Sequence, residues 1–75
     1  MPLENRLKEL RTLKGFNQQE MGLLVGVSRQ TISSIERGDY NPSITVCLKL
    51  AKELDVSVED IFSYVDEGMN NEKDS

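Results

Sequence analysis

Leu3, Leu7, Leu10 and Leu13 recur at three- and four-residue intervals and stop just short of Gly15. That repeat, closed by a glycine suited to a left-handed C-cap, predicts a first helix over about residues 3–14. "NQQEMGLLV" follows, with Asn17 as N-cap, Glu20 three residues later in the reciprocal position, and Phe16 placed to staple onto Met21. A second helix from about Gln18 to Val25 is expected. Gly26 breaks the pattern, Val27 is a lone apolar plug, and Ser28 is a good N-cap for a third helix, Arg29 to Arg37, that Gly38 ends.

"DYNPS" reads as a loop. Pro42 has no N–H to give a helix, and Ser43 can cap a fourth helix with Ile44, Cys47, Leu48, Ala51 and Leu54 on one side. A fifth starts at Ser57, has Asp60 in the reciprocal capping position, and buries Val58, Ile61 and Phe62. Tyr64 and Val65 are the last apolar pair before "DEGMNNEKDS", a polar, acidic tail. The expected organisation is an all-α, five-helix bundle over residues 1–65, followed by the tail at 66–75.

At about 100° per residue, Ile32 and Ile35 lie close together on the third helix, flanked by Thr31 and Glu36, which makes that side the buried one. Gln30, Ser33, Ser34 and Arg37 collect on the opposite side, with Arg29 on the shoulder at the N-terminal end. Such residues on an exposed helix are ordinarily just solvated. Their setting changes the weight: a capped second helix, a tight Gly-Val-Ser turn and a short third helix that opens with long polar side chains form a helix-turn-helix arrangement. An outward face of donors and acceptors with little apolar area suits base edges and phosphates better than an apolar protein groove.

Composition narrows the alternatives. A chain of 75 residues must commit nearly all its apolar side chains to one small core, leaving little for an enclosed pocket. Histidine is absent and Cys47 is the only cysteine, so an internal disulfide, a Cys/His zinc site and His-based catalysis are all excluded. The carboxylates sit at helix starts and in the tail, where capping and solvation account for them. No enzyme activity, cofactor or metal is expected. The start "MPLENRLKEL" has no apolar h-region and no stretch reaches the roughly 20 apolar residues of a membrane span, which points to a cytoplasmic protein.

Residues 5–62 resemble the lambda-repressor-like, Cro/Xre-type helix-turn-helix family. The resemblance rests on Gly15, the Gln18/Glu20 pair, Gly26-Val27-Ser28, Ile32, Ile35-Glu36, Gly38 and Asn41-Pro42-Ser43. It implies major-groove reading of double-stranded DNA by the third helix and a two-fold dimer on a palindromic operator. Position by position, it makes Arg29, Gln30 and Ser34 base-reading residues, with Thr31 and Ser33 as second-rank candidates. Gln18 becomes a phosphate contact at the start of the second helix, and Asn17, Ser28, Arg37, Tyr40 and Asn41 line the flanking backbone. Arg11 and Glu36 match a pair that in the family bridges the first helix to the end of the third. Cys47 falls at a small core position, where a buried, inert thiol is expected.

The chain departs from the family at Gly22, where alanine is general; close approach of the third helix is kept at about 1 kcal/mol of helix propensity. Leu23 and Leu24 are unusually apolar for that surface, so one of them is expected to be partly exposed. The short Ser33 and Ser34 side chains point to water-mediated or shape readout at that end of the helix.

The formal net charge of −4 has the wrong sign for a DNA-binding protein. It is segregated: residues 1–52 hold eight Lys and Arg against five Asp and Glu, and residues 53–75 hold one against eight. A basic half at the groove with an acidic far side is compatible with binding, with modest non-specific affinity and a shallow salt slope. In the family the C-terminal region commonly builds the dimer, and Val58, Ile61, Phe62, Tyr64 and Val65 form the expected homodimer interface. The leading reading is a sequence-specific transcriptional regulator, a repressor acting by occlusion. The alternative is an antitoxin-like interaction module that uses the acidic C-terminal region on another protein.

Overall fold

A computed structural model describes residues 3–65; the acidic tail at 66–75 lies outside the described residues. The five helices are α1 (Leu7–Leu13), α2 (Gln18–Val25), α3 (Arg29–Arg37), α4 (Ile44–Leu54) and α5 (Val58–Ile61). They are joined by a two-stranded antiparallel ribbon of β1 (Leu3–Asn5) and β2 (Phe62–Tyr64), with Leu3 opposite Tyr64 and Asn5 opposite Phe62.

Four of the N-caps act as their sequence suggests. The side-chain oxygens of Asn17, Ser28, Ser43 and Ser57 accept the N–H of Glu20, Thr31, Val46 and Asp60, and capping boxes close at Asn17/Glu20 and Ser57/Asp60. The Ser57 N–H and hydroxyl, bonded to the Asp60 carboxylate, hold that carboxyl below its ordinary range. Gly26 and Gly38 close α2 and α3 in the left-handed conformation, at φ 81° and 82°.

The first helix is shorter than its leucine repeat predicts. Residues 3–5 are strand, not helix: they pair with the chain leaving α5, and the Asn5 side chain accepts the Leu7 N–H and so marks where helix begins. Steps of three residues also drift about 60° per step around a helix. Leu7 is fully buried, Leu10 is half-buried, and Leu13 has turned into solvent at 75% exposure. The residue that shares Leu7's buried face is Arg11, one full turn on.

The core is formed by Leu7, Met21, Val25, Ile32, Ile35, Leu50, Ala51, Leu54, Ile61 and Phe62, with Phe16, Val27, Cys47 and Val58 packed against it. On α4 the buried face is centred on Leu50, Ala51 and Leu54, so Ile44 and Leu48, expected on the inner side, are exposed. Cys47 is half-buried rather than fully enclosed, and burial pushes its thiol up from the ordinary range. Leu23 and Leu24 are both exposed, where only one was expected to be.

Gly22 is buried where α2 meets the turn. A β-carbon there would lie 2.5 Å from the Val27 carbonyl oxygen and 3.2 Å from the Ser28 carbonyl carbon, both backbone atoms that cannot swing aside. Gly22 thus sets the closeness of the helix-turn-helix bend, and its lower helix propensity is offset by that fit. Gly22→Ala gains about 1 kcal/mol of propensity and loses about 1–3 kcal/mol to overpacking. A net loss of about 1 kcal/mol is expected in urea melts; a gain in stability would contradict the close fit.

Candidate nucleic-acid interface

The outward side of the helix-turn-helix is built from the N-terminus of α2, the exposed face of α3 and the loop after it. Arg29 and Gln30 are exposed on the first turn of α3. The side-chain hydrogen bonds found around α3 among the described residues involve Ser28, Thr31, Ser33, Ser34, Glu36 and Arg37, and leave Arg29 and Gln30 uncommitted. These two long side chains are the ones free to reach a partner.

Thr31 and Ser28 are occupied with each other. The Ser28 hydroxyl oxygen accepts the Thr31 N–H at 3.1 Å and lies 3.0 Å from the Thr31 hydroxyl, with Thr31 half-buried. Further along, the Arg37 guanidinium lies back over the preceding turn, donating to the Ser33 hydroxyl at 2.6 Å and the Ser34 hydroxyl at 3.3 Å. Both serines are half-buried. What this end of the helix presents is a guanidinium resting on two hydroxyls. Tyr40 and Asn41 are exposed in the following loop.

At the start of α2 the Asn17 side chain is committed to its capping box. Glu20 and Met21 N–H bond to Asn17, so the N–H groups of Gln18 and Gln19 are the pair left without an intrahelical acceptor, in the arrangement that favours an anion. Gln18 is held from behind: its amide nitrogen donates to Glu36 Oε1 at 3.0 Å. One N–H of that amide and its carbonyl oxygen remain for outside contact.

Glu36 also accepts from Arg11, whose Nε and Nη2 donate to the two carboxylate oxygens at 2.6 and 3.3 Å. Arg11 Nη1 donates to the Phe16 carbonyl at 2.8 Å. The Arg11 and Glu36 side chains are only 10% and 5% exposed, so the pair is internal and Arg11 is not available to a ligand. Asn5, which the sequence did not single out, adds a second tie to α3 by donating to the Ile35 carbonyl at 2.8 Å. An asparagine near the start of a chain is too common a residue to signal that role.

Ile61 and Phe62, expected in a dimer interface, are core residues, 1% and 8% exposed. The turn at Phe62 into β2 carries both under the bundle, so the apolar excess read from the sequence is largely spent inside the chain. Tyr64 remains exposed, with Val58 and Val65 half-buried.

A family model described as helix-turn-helix matches residues 7–61, spanning α1 to α5. The chain belongs to the lambda-repressor-like, Cro/C1-type helix-turn-helix family. It is 45% identical over 60 residues to the uncharacterised helix-turn-helix-type transcriptional regulator YgzD of Bacillus subtilis (strain 168), covering 80% of this chain and 91% of that one. Its fold is similar to that of the restriction-modification controller protein C.AhdI from Aeromonas hydrophila, with TM-score 0.68 and 42% identity over 73% of this chain and 80% of that one. It is also similar to the P22 c2 repressor crystallised with a synthetic operator, with TM-score 0.69 and 33% identity over 72% and 82% of the two chains. As a member of this family the chain is a transcriptional regulator's DNA-binding domain and not an enzyme.

For this helix-turn-helix chain the internal ion pair is a condition of the interface. Glu36→Ala leaves a nearly buried guanidinium without its carboxylate and is expected to cost about 3–5 kcal/mol. In a domain this small, that is a large share of the stability. Thermal melts should place the variant's midpoint well below the parent's; a shift of a few degrees or less would contradict the role given to the pair.

Proposed function

We propose that the chain is a sequence-specific repressor that binds a palindromic operator as a homodimer in the cytoplasm and acts by occluding its site. The observation that carries the reading is the contrast along α3: Arg29 and Gln30 are exposed and uncommitted at the end of the helix that enters the groove, while the residues behind them are held by the fold. Arg29 forks onto a guanine O6/N7 edge and Gln30 onto an adenine N6/N7 edge. Gln18, with the α2 N-terminus, Arg37, Tyr40 and Asn41 engage the phosphates on either side. Asn17 and Ser28 assist through whatever their capping leaves free, and Thr31, Ser33 and Ser34 contribute through water or shape. The repressor named among its structural relatives supports the direction of regulation.

The homodimer uses what the fold leaves outside. Ile44 and Leu48, one helical turn apart on α4, are 68% and 57% exposed, and Tyr64 is 70% exposed. Solvent contact of that size on a chain with so small a core is consistent with cover by a second copy. A two-fold pair places the two α3 helices about 34 Å apart, one turn of DNA.

Selection from a random duplex pool followed by anisotropy titration tests the reading. A palindrome is expected. Arg29→Ala should relax specificity by about 5- to 150-fold at one base pair per half-site, the range of a lost bidentate base contact, and Gln18→Ala should weaken binding to all duplexes alike. If neither changes binding, the groove assignment is wrong. Sedimentation at micromolar concentration is expected to give a dimer that Ile44→Lys with Leu48→Lys turns into a monomer of unchanged helicity; a parent that sediments as a monomer with and without the selected duplex refutes the homodimer.

A further inference from the structure

Asp39 stands just past the end of a helix, where an acidic residue is disfavoured. It follows Gly38 directly at the C-terminal end of α3, where the helix dipole disfavours negative charge. Its backbone is pinned, since the Asp39 N–H donates to the Ser34 carbonyl at 2.9 Å in the turn that closes the helix. Its carboxylate accepts from Arg37 Nε at 2.9 Å. The two side chains are 57% and 64% exposed, so water could solvate either of them equally well. Burial therefore does not require the two to pair.

The Arg37 Nε is held by Asp39 on one side while the two terminal nitrogens rest on the Ser33 and Ser34 hydroxyls, one turn back along the outward face. Three of the five guanidinium N–H groups are thereby engaged within the chain. We infer that Asp39 is an affinity-setting residue that competes with DNA phosphate for Arg37, so that the guanidinium is parked on the two serines in the free protein and exchanges its carboxylate for a phosphate on binding. The inference rests on the DNA-binding reading above and assigns Ser33 and Ser34 the role of posts that keep Arg37 on the outward face.

The magnitudes permit such an exchange. An exposed ion pair biases a contact by only about 1.4- to fivefold, so Asp39 restrains Arg37 without locking it. A phosphate approaching the same guanidinium also meets the Asp39 charge, which opposes binding to every sequence equally. On a chain that is acidic overall, one such residue beside the groove keeps non-specific affinity low while the base-reading end of α3 is untouched.

The test is Asp39→Asn in the full chain, titrated against the duplex selected by the parent and against a scrambled duplex, from about 50 to about 300 mM salt. Asp39→Asn is expected to tighten binding to both duplexes by about two- to fivefold at the low end, the equivalent of releasing one exposed ion pair. The slope of log K against log salt should steepen by up to about one unit. Repeating the change in an Arg37→Gln background separates the inference from a general charge effect: the gain is expected to shrink to less than about half, because the residue it releases is gone. An equal gain in both backgrounds, no gain, or weaker binding overturns the inference. A parent chain that binds no duplex overturns the DNA reading and this inference with it, whereas a parent that binds while Asp39→Asn is unchanged overturns this inference alone. Thermal melts should show both variants folded, since the pair is exposed.

Discussion

The Arg11–Glu36 ion pair joins three helices at one point. Arg11 comes from α1, Glu36 from the last turn of α3, and Gln18, which shares the Glu36 carboxylate, from the first turn of α2. Two buried charges are costly unless geometry and hydrogen bonding are both good. Here the guanidinium is engaged at Nε and both terminal nitrogens, and both carboxylate oxygens have donors. The pair therefore does more than hold helices together. It orients Gln18 at the α2 N-terminus relative to the exposed face of α3, and that relative placement is what a helix-turn-helix needs in order to span a groove and its flanking phosphates.

Behind that point the bend between α2 and α3 is set by backbone contact. Gly22 lets the chain of the turn pass within van der Waals reach of α2, and the Ser28 cap starts α3 immediately afterwards. Ile32 and Ile35 bury the inner face of α3 in the common core, and the Asn5 bond to the Ile35 carbonyl ties its end to the ribbon. The third helix, α3, is thus fixed along its inner side and at both ends. Substitutions at Arg29 and Gln30, exposed on its outer side, leave that framework in place.

Local chemistry in the sequence was enough to place α2 and α3, because caps, glycines and periodicity act over a few residues and leave a direct mark. Asn17 with Glu20, Ser28 and Gly38 did as expected. The Arg11–Glu36 pair, 25 residues apart, was legible only through family resemblance, since nothing local links the two. The ribbon was not legible: three residues on each side carry no alternation strong enough to outweigh a leucine repeat, and their pairing is decided by where α5 turns. That same turn buries Ile61 and Phe62, so residues that looked surplus are core. The serines of α3 were visible as a polar face, but their attachment to Arg37 depends on a side chain folding back over one turn, which a residue pattern does not encode.

One face, the α2 N-terminus with the outward side of α3, is the proposed DNA contact, and the exposed apolar positions of α4 lie outside it. Backbone amide shifts of a nitrogen-15-labelled chain, followed as the selected duplex is added, test it directly. The largest changes are expected at Gln18, Gln19, Arg29, Gln30 and Ser34, with further changes at Arg37 and Tyr40 and little at Lys49 or Leu50. Changes concentrated on α4 or on the β1–β2 ribbon, with α3 unmoved, would contradict the proposed contact.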